Sequence, residues 1–295
     1  SVWSEQYEAS ARVVGFGERR ELNAYADTFV MGSDQVWNYG ICRHYRGGMF
    51  FHFLDDDKRR LSYAASFGHP GFFAPEEEVA ATKSYLRKFD AISVREEDAV
   101  GVVNHTFGLQ AARVLDPVFL PDREIYTVLA GKSEAKRNPL VAGDFIAVYI
   151  LDGNPEKKAA AEYLSERLAL PLVVMLDGTM ANFEVNREKL GLYPAAENLQ
   201  VEDWLYYIEN CRYLITDSCH GASFAIIHEK PFVCIENEGR GISRFESLGR
   251  VFGLRNRFVS DAARIRERED LLLPPDYGRV RGILEQERAR CLEWL

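Results

Sequence analysis

Thr216-Asp217-Ser218-Cys219-His220-Gly221 gathers two hydroxyls, a carboxylate, a thiol and an imidazole into six residues. The apolar run Tyr213-Leu214-Ile215 precedes it; the stretch from Ala222 to His228 and then Pro231-Phe232-Val233-Cys234-Ile235 follow. That order reads as strand, polar turn, helix, strand. Such a turn brings backbone N–H groups and the positive end of a helix to one point, which suits an anion. His220 adds a group of the type that moves protons near neutral pH; the alternative is a structural histidine. Cys219 reads as packing, because no cysteine–histidine signature or C-x-x-C surrounds it. Ser218 lacks a G-x-S-x-G setting, which argues against a hydrolase. Downstream, Glu236-Asn237-Glu238-Gly239-Arg240-Gly241-Ile242-Ser243-Arg244-Phe245 follows the next strand and is expected on the same rim as His220. There Arg240 or Arg244 can clamp a carboxylate or phosphate, or be solvated in a loop.

Earlier strand ends carry weaker signals. Phe29-Val30-Met31 runs into Gly32-Ser33-Asp34-Gln35-Val36-Trp37-Asn38, and ligands of open α/β sheets collect beyond carboxyl ends of strands. Asp34 reads equally as the acid of a capped turn. Ser66 ends a run of small residues, Ser62 to Gly68, that permits close approach of a ligand or tight packing of sheet on helix. Arg95 follows the buried run Ala91–Val94, where a guanidinium must meet an acid or an anion. Asp116, before Pro117, is open to a structural or a functional role.

The elements that position these groups alternate between apolar and amphipathic runs. Strands are expected at 28–31, 61–65, 91–94, 114–115, 145–151, 172–176, 212–215 and 232–235, several continuously apolar as when both faces are covered. Helices are expected from Pro75, at 97–106 before Gly108, at 155–168, at 201–210 and at 243–252. This alternation predicts an α/β protein with mostly parallel sheet. Pro121 to Gly143 is polar and reads as a linker. The resulting division is 1–140, 141–260 and a helical segment 261–295, whose last helix should turn Val280, Leu284, Cys291 and Leu292 inward.

The 295 residues are 47% hydrophobic, enough for a large core, and a net charge of −9 argues against nucleic acid as a partner. Five cysteines without C-x-x-C suit reduced thiols in the cytoplasm; neither a disulfide framework nor a metal cluster is expected. No apolar run reaches the length of a bilayer span, and Ser1 to Glu5 does not open a signal peptide.

Taken in order, several segments resemble the polysaccharide pyruvyl transferase family: 29–38, Phe53-Leu54-Asp55, 61–68, 89–96, Val114-Leu115-Asp116-Pro117, 215–221, Lys230-Pro231-Phe232 and 244–248. Cys219 stands where the family usually has phenylalanine, and the family's opening strand and glycine-rich turn are not evident before Gly32. The resemblance implies a glycosyltransferase-B-like fold: two Rossmann-like domains facing across a cleft, with the C-terminal helix packing back on the first. It implies transfer of the enolpyruvyl group of phosphoenolpyruvate to two hydroxyls of a sugar in a surface polysaccharide (exopolysaccharide or capsule) or its precursor, free or lipid-linked, in the cytoplasm or at the inner membrane face. No cofactor or metal is implied, phosphoenolpyruvate being a co-substrate. His220 and Asp34 become the catalytic residues, Ser218, Cys219, Gly221, Arg244 and Arg95 donor-binding, and Ser33, Gln35, Trp37 and Ser66 acceptor-binding. The rival readings are a nucleotide-sugar glycosyltransferase of the same fold and a non-catalytic saccharide-binding module.

Overall fold

The computed structural model describes residues 19–45, 47–138, 141, 143–176, 180–191, 194–196 and 199–295. The reading of Ser1 to Glu5, the expected place of the family's opening segment and Pro139 lie outside them. The chain divides into two compact units. One comprises the described residues up to Leu120 with Gly239–Ser247 and Glu285–Leu295; the other comprises Pro121–Glu238 with Leu248–Leu284.

The first unit holds four parallel strands in the order β1 (Thr28–Met31), β2 (Arg59–Ala65), β3 (Ala91–Val94), β4 (Ala112–Arg113). Its helices are α1 (Tyr39–Cys42), α2 (Glu76–Leu86) and α3 (Glu97–Phe107). Glu76, Glu77 and Glu78 sit in the first turn of α2, where the helix dipole favours acids, and Gly108 ends α3 in the left-handed conformation. The core packs Trp37 among Phe50, Phe67 and Phe89, with Val94, Val103 and Phe107. The end of the chain closes this unit: Cys291 is buried and its Sγ accepts the Leu115 N–H at 3.1 Å, while Glu287 pairs with Arg113 at 2.6 Å.

The second unit is a six-stranded parallel sheet, β10 (Phe258–Val259), β9 (Phe232–Ile235), β8 (Tyr213–Thr216), β5 (Ile146–Tyr149), β6 (Leu172–Met175), β7 (Ala195–Ala196). The chain winds outward from β5 to β7, then returns beside β5 and winds the other way. The direction therefore reverses between β5 and β8, the crevice where doubly wound sheets bind ligands. Residues of β6, β8 and β9 are buried throughout, as continuous apolar runs require. Helix α4 (Arg123–Ala130) precedes β5; α5 (Pro155–Leu168), α6 (Met180–Leu190), α7 (Val201–Asn210), α8 (Cys219–Ile227) and α9 (Ile242–Val251) lie in the chain between successive strands, and α10 (Tyr277–Trp294) follows β10.

Three expectations are corrected. The stretch from Pro121 is folded into the second unit rather than serving as a linker. Its helix α4 buries Tyr126 and Ala130, and Tyr126 meets Phe224 edge-on at 4.9 Å. The helix is only eight residues long and buries just Tyr126 and Ala130, so its stripe covers two turns within an otherwise polar run. Residues 239–247, expected in the second unit, belong to the first. Leu292 is 53% exposed, because it lies beside the stripe of Leu284, Arg288 and Cys291, not on it.

His228 follows α8 and is buried. Burial, aided by Lys230 and Arg123, holds its imidazole down at about 4. Glu209, 3.8 Å from Nδ1, is beyond hydrogen-bond range and does not reverse this. Between about pH 4 and the ordinary value of 6.5 the unfolded chain binds the extra proton and the folded one does not. Stability from this residue is thus complete above that window and is lost as pH falls through it, by up to about 1.4 kcal/mol per pH unit. Urea unfolding from pH 4.5 to 7 should show a shallower pH slope for His228→Phe than for the unsubstituted protein; equal slopes refute the assignment.

Candidate functional site

In the second unit the carboxyl ends of β5 and β8 are tied together by Asp217. This fully buried acid accepts the Leu151 N–H at 2.6 Å, the Asp152 N–H at 3.1 Å and the Lys157 ammonium at 2.7 Å. Asn237, after β9, donates to Asp217 at 3.3 Å and to Asp152 at 2.6 Å. Lys157 is itself buried, and its second bond goes to the Asp152 carbonyl at 2.7 Å. A buried ion pair survives desolvation only with such extra bonds. Together they hold three strand ends at the point where the sheet reverses direction. Neither Lys157 nor Asn237 was singled out from sequence, since each reaches Asp217 only through the fold.

On this base Ser218 caps α8. Its Oγ accepts the Gly221 N–H at 3.3 Å, and its own N–H donates to Thr216 Oγ at 3.0 Å. Gly221 is required by close approach: a Cβ there would stand 2.4 Å from Thr216 Oγ1. Ser218, Cys219 and Gly221 are all buried, and the Ser218 and Gly221 N–H groups are taken up inside the turn, so these residues build it rather than reach the donor as the sequence suggested. His220, the second residue of the helix, is only partly buried. The turn thus presents an imidazole and a helix N-terminus beside the switch point.

The first unit assembles a charged cluster at the ends of β1, β2 and β3. Asp34 adopts a left-handed φ of 65°, after Gly32, whose φ of 129° and whose contact with the Tyr63 carbonyl leave no room for a Cβ. Arg95 is the hub. It donates to Asp34 at 2.9 Å, to Glu96 at 3.1 Å and to Asp116. Arg244 donates to the same Asp34 oxygen at 2.9 Å and to the Arg240 carbonyl. Both arginines, Glu96 and Asp116 are buried, whereas the Asp34 side chain is 51% exposed. Burial pushes the Glu96 carboxyl up, against the pull of Arg95, Ser66 and Arg244. The Arg95–Asp34 pair, half in water, is worth at most about 1 kcal/mol, so its effect is to orient Asp34; the pairs with Glu96 and Asp116 carry the stability. Gln35 joins this layer, donating to the Arg240 carbonyl at 3.2 Å and accepting from Asn38 at 2.9 Å.

The structure therefore brings Asp34, Arg95 and Arg244 together, with Gln35 adjacent and Ser33 partly exposed next to them. Two acceptor-binding expectations are corrected. Trp37 is 0% exposed, donates to the Met49 carbonyl at 2.9 Å and is a core residue. Ser66 is equally sealed, its Oγ accepting the Gly68 N–H at 3.0 Å. Arg244 stands on Asp34 within the first unit. Glu96 and Asp116 complete the cluster; a buried arginine next to an acid was the signal for them. Among the described residues no group of three or more metal-ligating side chains forms a metal site, and no helix is long and apolar enough to cross a membrane.

A family model described as polysaccharide pyruvyl transferase matches residues 4–239. No curated protein matches the chain. Solved structures do. One is a putative UDP-N-acetylglucosamine 2-epimerase from Listeria monocytogenes, with 16% identity, 90% of this chain and 71% of that one covered, and a TM-score of 0.56. A UDP-GlcNAc 2-epimerase from Neisseria meningitidis bound to UDP-GlcNAc gives 8%, 95%, 80% and 0.55, and that of Methanocaldococcus jannaschii 12%, 92%, 73% and 0.55. At these identities the likeness establishes the fold alone: α/β and glycosyltransferase-B-like, with a Rossmann-like sheet in each unit.

Proposed function

The chain belongs to the polysaccharide pyruvyl transferase family, and on that premise we propose that it moves the enolpyruvyl group of phosphoenolpyruvate onto two hydroxyls of one sugar of a surface polysaccharide or its precursor. The observation that carries this reading is the Ser218-capped turn, which sets His220 and the positive end of helix α8 together at the switch point of the second unit. The donor bears a phosphate and a carboxylate, both suited to a helix N-terminus.

In the reaction the methylene carbon of the donor gains a proton, and positive charge develops on the adjacent carbon. One sugar hydroxyl adds there, the carbon–oxygen bond to phosphate breaks, and the second hydroxyl closes the ketal. Two hydroxyl protons are released; one balances the proton taken up by carbon and the other leaves with phosphate or solvent. His220 acts as the general acid or holds the departing phosphate. Asp34, fixed by Arg95 and Arg244, orients an acceptor hydroxyl. Arg95 and Arg244 are engaged by Asp34, Glu96 and Asp116, so their part is to fix Asp34 rather than to hold the donor.

The test is incubation with phosphoenolpyruvate and a panel of sugars, reading released phosphate and product mass. The reading predicts phosphate release that depends on the sugar, with a product heavier by one pyruvate ketal. Turnover of a UDP-sugar with release of UDP, and none of phosphoenolpyruvate, would identify a glycosyltransferase instead.

A further inference from the structure

A cavity in the first unit, of about 350 Å³, falls within the size range of small-molecule sites. Its walls carry two partly buried aromatic rings, Tyr39 and Tyr85, and its rim carries Arg43, Glu77 and Glu78, all exposed. The buried Thr82 also lines it. Its floor is apolar and uncharged. Phe50 and Phe72 are buried there, and burial, with a further push from the Glu78 carboxylate, raises the Cys42 thiol to about 12.

We propose that this cavity is a saccharide subsite, holding a neutral sugar ring of the acceptor beyond the one that reacts. The chemistry of the walls selects that class. A phosphate or carboxylate meets two carboxylates and one guanidinium at the rim, a net repulsion. A purely apolar ligand fits the floor but makes no use of the three charged groups at the rim. A sugar ring presents an apolar C–H face to a tyrosine ring and a set of vicinal hydroxyls to carboxylates and guanidinium, which accept from and donate to them. Aromatic rings held by their neighbours keep such a face in place: Tyr39 packs edge-on against Phe72 at 5.5 Å, and Tyr85 meets His52 at 5.9 Å.

Its position supports the same occupant. Tyr39 opens α1, which Asn38 caps by accepting the Gly40 N–H at 3.0 Å. Asn38 in turn donates to Gln35, the neighbour of Asp34, at 2.9 Å. The cavity wall is thus tied by one hydrogen-bonded residue to the layer that carries Asp34. As an acceptor subsite it rests on the pyruvyl transfer reading; as a sugar-binding pocket it does not.

Saturation-transfer NMR on the whole chain, with methyl glycosides of glucose, galactose and mannose and their disaccharides, tests this, with choline and inorganic phosphate as comparators. Transfer to ring protons of at least one glycoside is expected, weakened on the order of tenfold by Glu77→Gln combined with Glu78→Gln, and likewise by Tyr85→Leu. Both glutamates are exposed, so losing their charge from the first turn of α2 should lower the urea midpoint only slightly and leave the double glutamine variant folded in the NMR experiment, which separates lost binding from lost fold. Absence of transfer to every sugar, equal transfer in the variants, or transfer to choline alone overturns the proposal. Phosphate release from phosphoenolpyruvate with the same sugars is read separately: none, alongside sugar binding lost in the variants, leaves the pocket standing and removes the pyruvyl transfer reading.

Discussion

On the proposed reaction, replacing His220 by alanine is expected to lower phosphate release from phosphoenolpyruvate by roughly 10²–10⁴-fold, the usual worth of a general acid or base, while the unfolding free energy moves by no more than about 0.5 kcal/mol. The two halves of this result have separate causes. The turn is held by groups other than the imidazole: Ser218 Oγ on the Gly221 N–H, Thr216 Oγ on the Ser218 N–H, and Asp217 beneath them. His220 is only partly buried, so truncating it removes less packing than a core substitution would. Ser218→Ala supplies the opposite pattern, since losing an N-cap costs about 1 kcal/mol of stability. Steady-state phosphate release and urea unfolding of both variants separate the roles. Turnover near the unsubstituted rate in His220→Ala would remove His220 from the chemistry.

Arg95→Ala is expected to destabilise the first unit by about 3–5 kcal/mol, because it leaves buried carboxylates without their partner. Asp116 and Glu96 are buried beside Arg95, and water cannot reach them to compensate. The half-exposed Asp34 adds little to this sum but loses one of the two guanidiniums that hold it. Arg95→Lys keeps the charge and loses the three-way fork, so it should recover part of the stability and little of the activity. Denaturant unfolding of the two variants, with turnover measured where each is folded, checks this. A loss in Arg95→Ala below about 1 kcal/mol would mean that the acids relax into solvent and that the cluster is not a buried hub.

Much of this architecture is legible one residue at a time. The runs 28–31, 91–94 and 232–235 form strands at the residues expected, and 155–168 and 201–210 form helices, because each carries its own periodicity and caps. The turn from Thr216 to Gly221 is equally local: strand, cap and helix follow one another within a dozen residues. The misreadings share a cause. Helix α4 is eight residues long, and its stripe of Tyr126 and Ala130 covers only two turns inside a polar run. Strands β7 and β10 are two residues each and exist only because a neighbouring strand pairs with them.

The sequence by itself determined the class of fold, the order of its strands and helices, and the turn that carries His220, because short-range periodicity and capping depend only on neighbours in the chain. Only the tertiary structure decided which distant side chains meet. It put Trp37 and Ser66 inside the core, set Arg244 on Asp34 across 210 positions of sequence, and brought Lys157 to Asp217 across 60. Burial and ion pairing depend on separation in space, and no spacing along the chain encodes that.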